Sequence, residues 1–279
     1  MIAYKYGSFD ILRADDLKEL DKYIQISKEE GAEYFALGIY DDNMFEQLGF
    51  DKPLKSVEDR MKIMEQIRGI DFVFSINSLE PKIIEKRLKE KYKKFIKENK
   101  KSEVEKEYEI GYAPGTYDLF HAGHLENLQI ASKQCKKLIV GVKSDELVFE
   151  HKNKRPVLPA EERMEILRHF KFVYGVYEYY TRNLHIANEY IENRFGKEVD
   201  AVFLGSDLRD DFADTEGINI VFTPRNPEMM KKRSTTAYRK LMLGHEKNRK
   251  YTSDKIIQKT KFGVEQKEDT CKEDNSKEH

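Results

Sequence analysis

Five apolar stretches, Tyr108–Tyr112, Leu138–Val142, Phe172–Val176, Ala201–Leu204 and Ile218–Phe222, alternate with segments of helical periodicity in the second half of the chain. Short unbroken apolar runs read as strands covered on both faces, and strands separated by helices pair in parallel. The pattern therefore predicts an α/β domain on a parallel sheet wrapped by helices. Between the first two runs, Leu125, Leu128 and Ala131 recur at helical spacing, so a helix starts near His124. His121, His124 and Gly205 all fall at carboxyl ends of predicted strands, where such sheets bind ligands.

The first of these junctions, Gly115 to His124, carries the chemistry. It places two histidines around Gly123 where a strand hands over to a helix. Free amides and the positive dipole end of a first helical turn point at an anion. Gly123 lets backbone approach that anion without a Cβ, and each imidazole donates a hydrogen bond or carries charge near neutral pH. The junction reads as a phosphate site. The same histidines could hold a metal with Asp118 as third ligand, but no cysteine or further histidine clusters nearby. Asp118 itself reads as a turn residue that caps backbone amides.

The chain also repeats itself. Residues from Gly7 to Leu17 line up with Gly115 to Leu125 at an offset of 108, and Gly38, Asp42, Pro53, Glu58, Arg60, Met61 and Ile63 meet Gly141, Asp145, Pro156, Glu161, Arg163, Met164 and Ile166 at an offset of 103. Arg13 and Asp16 occupy the histidine positions of the first copy, Asp15 replaces Gly123, and Gly49 replaces Lys152. Carboxylates at such a site repel a polyanion where the second copy attracts it.

Composition narrows the partners. A net charge of −1 argues against a general nucleic-acid or membrane-surface role, although 36% of residues are charged. Two cysteines, Cys135 in the helix after the histidines and Cys271 in the tail, make neither a disulfide framework nor a metal site, and Cys135 reads as a small core residue. No secretory signal or long apolar span is present, which predicts a cytoplasmic protein without membrane insertion. Neither a Gly-x-Gly-x-x-Gly fingerprint nor a P-loop occurs. Glu80 to Lys106, dense in lysine and glutamate with Ile83, Ile84, Leu88, Tyr92, Phe95 and Ile96 at helical spacing, predicts a charged helical connector, and the tail from His245 predicts disorder.

Gly115-Thr116-Tyr117-Asp118-Leu119-Phe120-His121-Ala122-Gly123-His124 resembles the nucleotide-binding signature of the cytidylyltransferase family. Four further motifs follow in the family's order. They are Leu138 to Val142 with Ser144-Asp145-Glu146; Lys152 with Arg155 to Pro159 and Glu161-Glu162-Arg163; Gly205-Ser206-Asp207; and Ser234-Thr235-Thr236. The pattern is most similar to that of glycerol-3-phosphate members, although Leu208 stands where those carry a tryptophan and this chain has none.

The resemblance implies a Rossmann-like parallel-sheet nucleotidyltransferase domain at 107–243. It is preceded by a truncated, degenerate copy of the same fold at 1–78 and a linker at 79–106, and followed by a tail at 244–279. It implies transfer of CMP from CTP to a phosphorylated alcohol, glycerol phosphate first and another polyol or a choline- or ethanolamine-like phosphate after it, with Mg²⁺ and release of pyrophosphate. His121, His124 and Lys152 would be catalytic. Gly115, Thr116, Tyr117, Gly123, Gly205, Asp207, Arg225, Arg233, Ser234, Thr235 and Thr236 would bind the nucleotide, with Arg225 or Arg233 as the family's arginine. Arg163 would serve either the site or an ion pair on its helix. Because family members pair like domains, the two copies would form an intramolecular pseudo-dimer, with further homo-oligomerisation open. An adenylyltransferase using ATP and an inactive nucleotide-binding scaffold are the competing expectations.

Overall fold

In the computed structural model, residues 1–98, 105–206, 215–224, 234–245 and 263–265 are described. The second half contains a five-stranded sheet of β4 (Tyr108–Gly115), β5 (Cys135–Lys143), β6 (Val173–Tyr179), β7 (Ala201–Gly205) and β8 (Ile220–Thr223), ordered β6-β5-β4-β7-β8. All its pairings are parallel. From β4 the chain runs to one side through β5 and β6, then returns to the other side through β7 and β8. The order therefore reverses beside β4, and this switch point is where open α/β sheets form their ligand crevice.

The first half builds a smaller sheet from β1 (Ile2–Gly7), β2 (Tyr34–Tyr40) and β3 (Phe72–Ile76), all parallel, with β9 (Gly263–Glu265) antiparallel on the outer edge of β1. Helices α1 (Ala14–Glu29), α2 (Asp42–Gln47), α3 (Val57–Met64) and α4 (Pro81–Glu98) accompany it. In the second half α5 (Ala122–Gln134), α6 (Asp145–Lys152), α7 (Ala160–Arg168), α8 (Leu184–Phe195) and α9 (Thr235–His245) do the same.

The lysine-rich segment after residue 80 does more than connect. Helix α4 buries Ile84 and Leu88 against the first sheet, and Phe95 stacks 5.2 Å from Phe72. Its apolar stripe covers one sheet face while its lysines stay wet. Cys135 does not continue α5; it is the first residue of β5. Its Sγ fills the space that a Cβ on Gly111 would need, and burial pushes the thiol up to about 11.

One buried network occurs in both halves at the offsets that the sequence repeat carries. Asp10 accepts from the amides of Leu54 and Lys55 at 2.8 Å; Asp118 accepts from those of Val157 and Leu158 at 2.9 and 3.0 Å. Arg60 donates to the carbonyls of Lys55, Ser8 and Tyr40 and pairs with Asp42. Arg163 donates to those of Leu158, Thr116 and Lys143 and pairs with Asp145. Both arginines are 0% exposed. Each guanidinium ties the loop after the first strand to the end of the second, and an unpaired charge at such depth would be costly. Phe9 and Tyr117, in those first loops, both adopt positive φ.

The two halves meet along a reciprocal seam. Ile67 bridges Phe170 antiparallel; the Arg68 amide donates to the His169 carbonyl and the Lys171 amide to that of Gln66. The Arg68 guanidinium reaches the Val173 carbonyl, and the Lys171 ammonium reaches the Ile70 carbonyl. One core cluster runs through this seam, from Leu37 and Ile63 in the first half to Val140 and Phe203 in the second.

Candidate functional site

At the carboxyl end of β4 the chain turns through Tyr117 and Leu119, both at positive φ, and enters α5 at His121. Tyr117 folds back so that its hydroxyl donates to the Ala113 carbonyl, 3.1 Å away. A Cβ at Gly115 would lie 2.8 Å from that ring, so the close approach requires glycine.

His121 is the N-cap of α5. Its Nδ1 accepts from the amides of Gly123 and His124 at 3.2 and 3.4 Å. The expectation that these amides face an anion is thus corrected: an imidazole takes them, because the side chain at an N-cap reaches back to the first turn. With Nδ1 accepting, the proton of a neutral ring sits on Nε2, which becomes the donor. His124 stacks on His121 with centroids 3.7 Å apart and planes 19° apart. Tyr117 and Phe120 pack on His124 at 5.3 and 5.6 Å, and these aromatic contacts hold the pair.

Helix α9 supplies a neighbouring wall. The Ser234 hydroxyl accepts from the Ala237 amide, and Thr235 Oγ1 donates to the Asp118 carbonyl at 2.9 Å, anchoring the first turn beside the histidine loop. Thr236 is exposed. One turn on, Tyr238 is buried with its ring 5.8 Å from that of His121. Arg239 pairs with Asp118 at 2.9 Å and donates to the Arg155 carbonyl. Asp118 thus serves the Val157–Leu158 turn and Arg239, which leaves it poorly placed to complete a metal site with the histidines. Among the described residues no three His, Cys, Asp or Glu side chains converge as metal ligands.

The remaining expected residues divide. Gly115, Tyr117, Gly123, Ser234 and Thr235 gather around the histidine pair or its loop. Thr116 lends its carbonyl to Arg163, and Arg163 is the ion-pair partner of Asp145 rather than a residue open to ligand. Gly205 ends β7, paired with Thr223. Lys152 is the exposed last residue of α6, and nothing among the described residues ties it to the histidines. Asp207, Arg225 and Arg233 lie outside the described residues. Sequence reading missed Arg239, whose only signal is its position four residues after Thr235. It also missed Asn127, which meets Thr223 from inside α5.

A histidine pair at a helix start, on the carboxyl edge of a 3-2-1-4-5 parallel sheet, is the layout of an α/β protein that takes its ligand at the switch point. The profile of the Cytidylyltransferase-like family matches residues 112–259, more than half of the chain, and the protein belongs to that family. The chain is 41% identical over 69 residues to a probable ethanolamine-phosphate cytidylyltransferase of Encephalitozoon cuniculi, covering 25% of this chain and 21% of the relative. It is 45% identical over 65 residues to an FAD synthase of Thermococcus onnurineus, covering 23% of this chain and 43% of the relative. These matches span less than half of the length of the curated relatives. A solved lipopolysaccharide core biosynthesis protein of Thermoplasma volcanium aligns over 42% of this chain and 96% of its own, at 18% identity and a TM-score of 0.32. No helix among the described residues is long and apolar enough to cross a membrane.

Proposed function

We propose that this protein transfers CMP from CTP to a phosphorylated alcohol, forming a CDP-alcohol and pyrophosphate. The observation that carries the reading is the stacked His121–His124 pair at the start of α5, beside the anchored first turn of α9. In this reaction an acceptor phosphate oxygen attacks the α-phosphorus in line while pyrophosphate leaves. Charge spreads over several oxygens, so positioned donors supply most of the catalysis. His121 donates through Nε2 because its Nδ1 is committed to α5. His124, held parallel to it, offers a second donor at the adjacent phosphate. The first amides of α9, with the Ser234 and Thr236 hydroxyls, take the β- and γ-phosphates, while the Thr235 hydroxyl holds the Asp118 carbonyl and leaves its amide for the ligand. Lys152, exposed at the end of α6, would act on the phosphates of both reactants.

A magnesium ion bound with the triphosphate would neutralise charge that builds on the leaving pyrophosphate. Asp118, the carboxylate of the motif, already serves two amides and Arg239, so it is not the residue that would hold such an ion.

The first half is a degenerate copy that cannot catalyse. Arg13 makes no side-chain cap and reaches instead across to Glu162; Asp16 stands in place of His124. The reciprocal seam supports an intramolecular pseudo-dimer, in which equivalent groups of the two copies contact each other in pairs.

The kinship with an ethanolamine-phosphate cytidylyltransferase favours ethanolamine phosphate as acceptor, followed by choline and glycerol phosphates. The FAD synthase likeness supports a second reading, adenylyl transfer from ATP, since FAD contains an adenylyl group. The protein is incubated with CTP or ATP and each of ethanolamine phosphate, choline phosphate, glycerol 3-phosphate and FMN, and products are identified by mass. A CDP-alcohol is expected. Turnover of ATP without CTP overturns the first reading in favour of the second, and no turnover with any pair leaves a nucleotide-binding scaffold.

A further inference from the structure

Lys55 belongs to the first half, yet its ammonium lies against the second. It is 3% exposed and donates to the Asp10 carbonyl, while Asp10's carboxylate holds the Lys55 amide. Its Nζ sits 5.2 Å from the centroid of the Tyr238 ring, and that same ring lies 5.8 Å from the ring of His121. At the repeat offset the second half has Leu158 at this position, an apolar residue in an equivalent turn held by an equivalent aspartate. A leucine satisfies the turn; a buried ammonium costs desolvation that a structural role alone does not require. Asp10, Asp59 and Arg60 are the charged groups that act on it, and burial draws its pKa down.

Tyr238 is also on the helix that carries Ser234, Thr235 and Thr236. The second half pins that helix through Thr235 and Arg239. The Lys55 contact is made on Tyr238, between those two anchors in sequence.

We propose that Lys55 is a positioning residue supplied by the degenerate copy: through the Tyr238 ring it sets the first turns of α9 against the His121 imidazole, so the first half completes the site of the second. The catalytic consequence rests on the reading given under Proposed function; the mechanical coupling does not. A cation over an aromatic face, removed from water, is strong enough to hold a helix in one setting.

The test uses the full chain with Lys55→Met, which keeps the stem, Lys55→Leu, which borrows the side chain of the equivalent turn, and Lys55→Arg, which keeps the charge. Histidine imidazole NMR spectra are recorded without ligand, with His121 assigned from His121→Asn. We expect the His121 signals to move in Lys55→Met or Lys55→Leu, whichever folds, and to return toward their original positions in Lys55→Arg. Those of His185, exposed on α8, stay fixed. In the transfer assay, KM for the triphosphate rises about tenfold, the scale of a desolvated cation–π contact, while kcat changes much less. Unmoved His121 signals in a folded charge-removing variant overturn the proposal, as does a lowered melting temperature with KM intact. If wild-type protein turns over no triphosphate, the functional reading falls and the ligand-free spectra still decide the coupling.

Discussion

Ile67 and Phe170 face each other in an antiparallel bridge, and each holds in its own half of the chain the place that the other holds in its. Both are fully buried. Phe170 also stacks on Phe120 at 4.7 Å, and Phe120 packs on His124 at 5.6 Å, so the seam is continuous with the candidate site. Phe170→Ala should destabilise the protein by about 3–5 kcal/mol, the cost of emptying a large aromatic from a core, and should lower turnover in the surviving folded fraction. Urea melts and pyrophosphate release check both. The peripheral contact of Arg13 with Glu162 crosses between the same halves, but the arginine is half exposed. Arg13→Ala should cost about 1 kcal/mol or less and leave turnover nearly unchanged.

The two functions of His121 can be separated by substitution. Asparagine keeps a short acceptor for the Gly123 and His124 amides and removes the Nε2 donor. His121→Asn should therefore melt near the wild-type temperature while losing activity. His121→Ala also loses the cap, at about 1 kcal/mol of stability. His124→Ala should lower kcat about a hundredfold, roughly 3 kcal/mol, as the loss of one preorganised donor does. Thermal melts and steady-state kinetics distinguish these outcomes.

Arg60 and Arg163 make the same buried network, so a comparison between them isolates what the site requires. Arg60→Met and Arg163→Met should each cost about 3–5 kcal/mol, because several carbonyls and one aspartate lose a buried partner. Arg163 holds the Thr116 carbonyl in the loop that presents the histidines. At a temperature where both variants are folded, Arg163→Met should show the larger loss of kcat/KM.

Asp16 gives a pH signature. Burial is the main cause that pushes its carboxyl up to about 6 from an ordinary 3.8. The unfolded chain then ionises this group at lower pH than the folded protein does. Stability is highest below the ordinary value, falls as pH rises from about 4 to 6, and remains reduced above that. Asp16→Asn should raise stability at pH 7 by about 1–2 kcal/mol, less than the full shift implies because the side chain is partly solvated, and by little at pH 4. Denaturant midpoints at the two pH values test the sign.

The predicted strands of the second half were legible because each is a short apolar run that must be covered on both faces. The helix start at His121 was legible because it combines apolar spacing with a glycine and polar residues in one turn. The repeat was legible from residue identities alone, and its offsets coincide with the paired Asp10/Asp118 and Arg60/Arg163 networks. Less was visible for the connector. Ile84 and Leu88 mark an amphipathic helix, but nothing local says which sheet face receives it. Cys135 reads as helical from its neighbours because α5 passes straight into β5 without a turn residue between them.

The alternation of strand and helix, the doubled pattern and the histidine pair can be read from the residues alone, since these depend on spacings within a turn or a strand. It takes the folded chain to show that Asp118 serves a turn 40 residues away, that Arg239 joins that carboxylate, and that Lys55 crosses to Tyr238. Those partners are separated by up to 183 residues along the chain. Their meeting is set by how loops from distant parts of the chain close at the sheet ends and, for Lys55, by how the two halves pack, which no local pattern of side chains encodes.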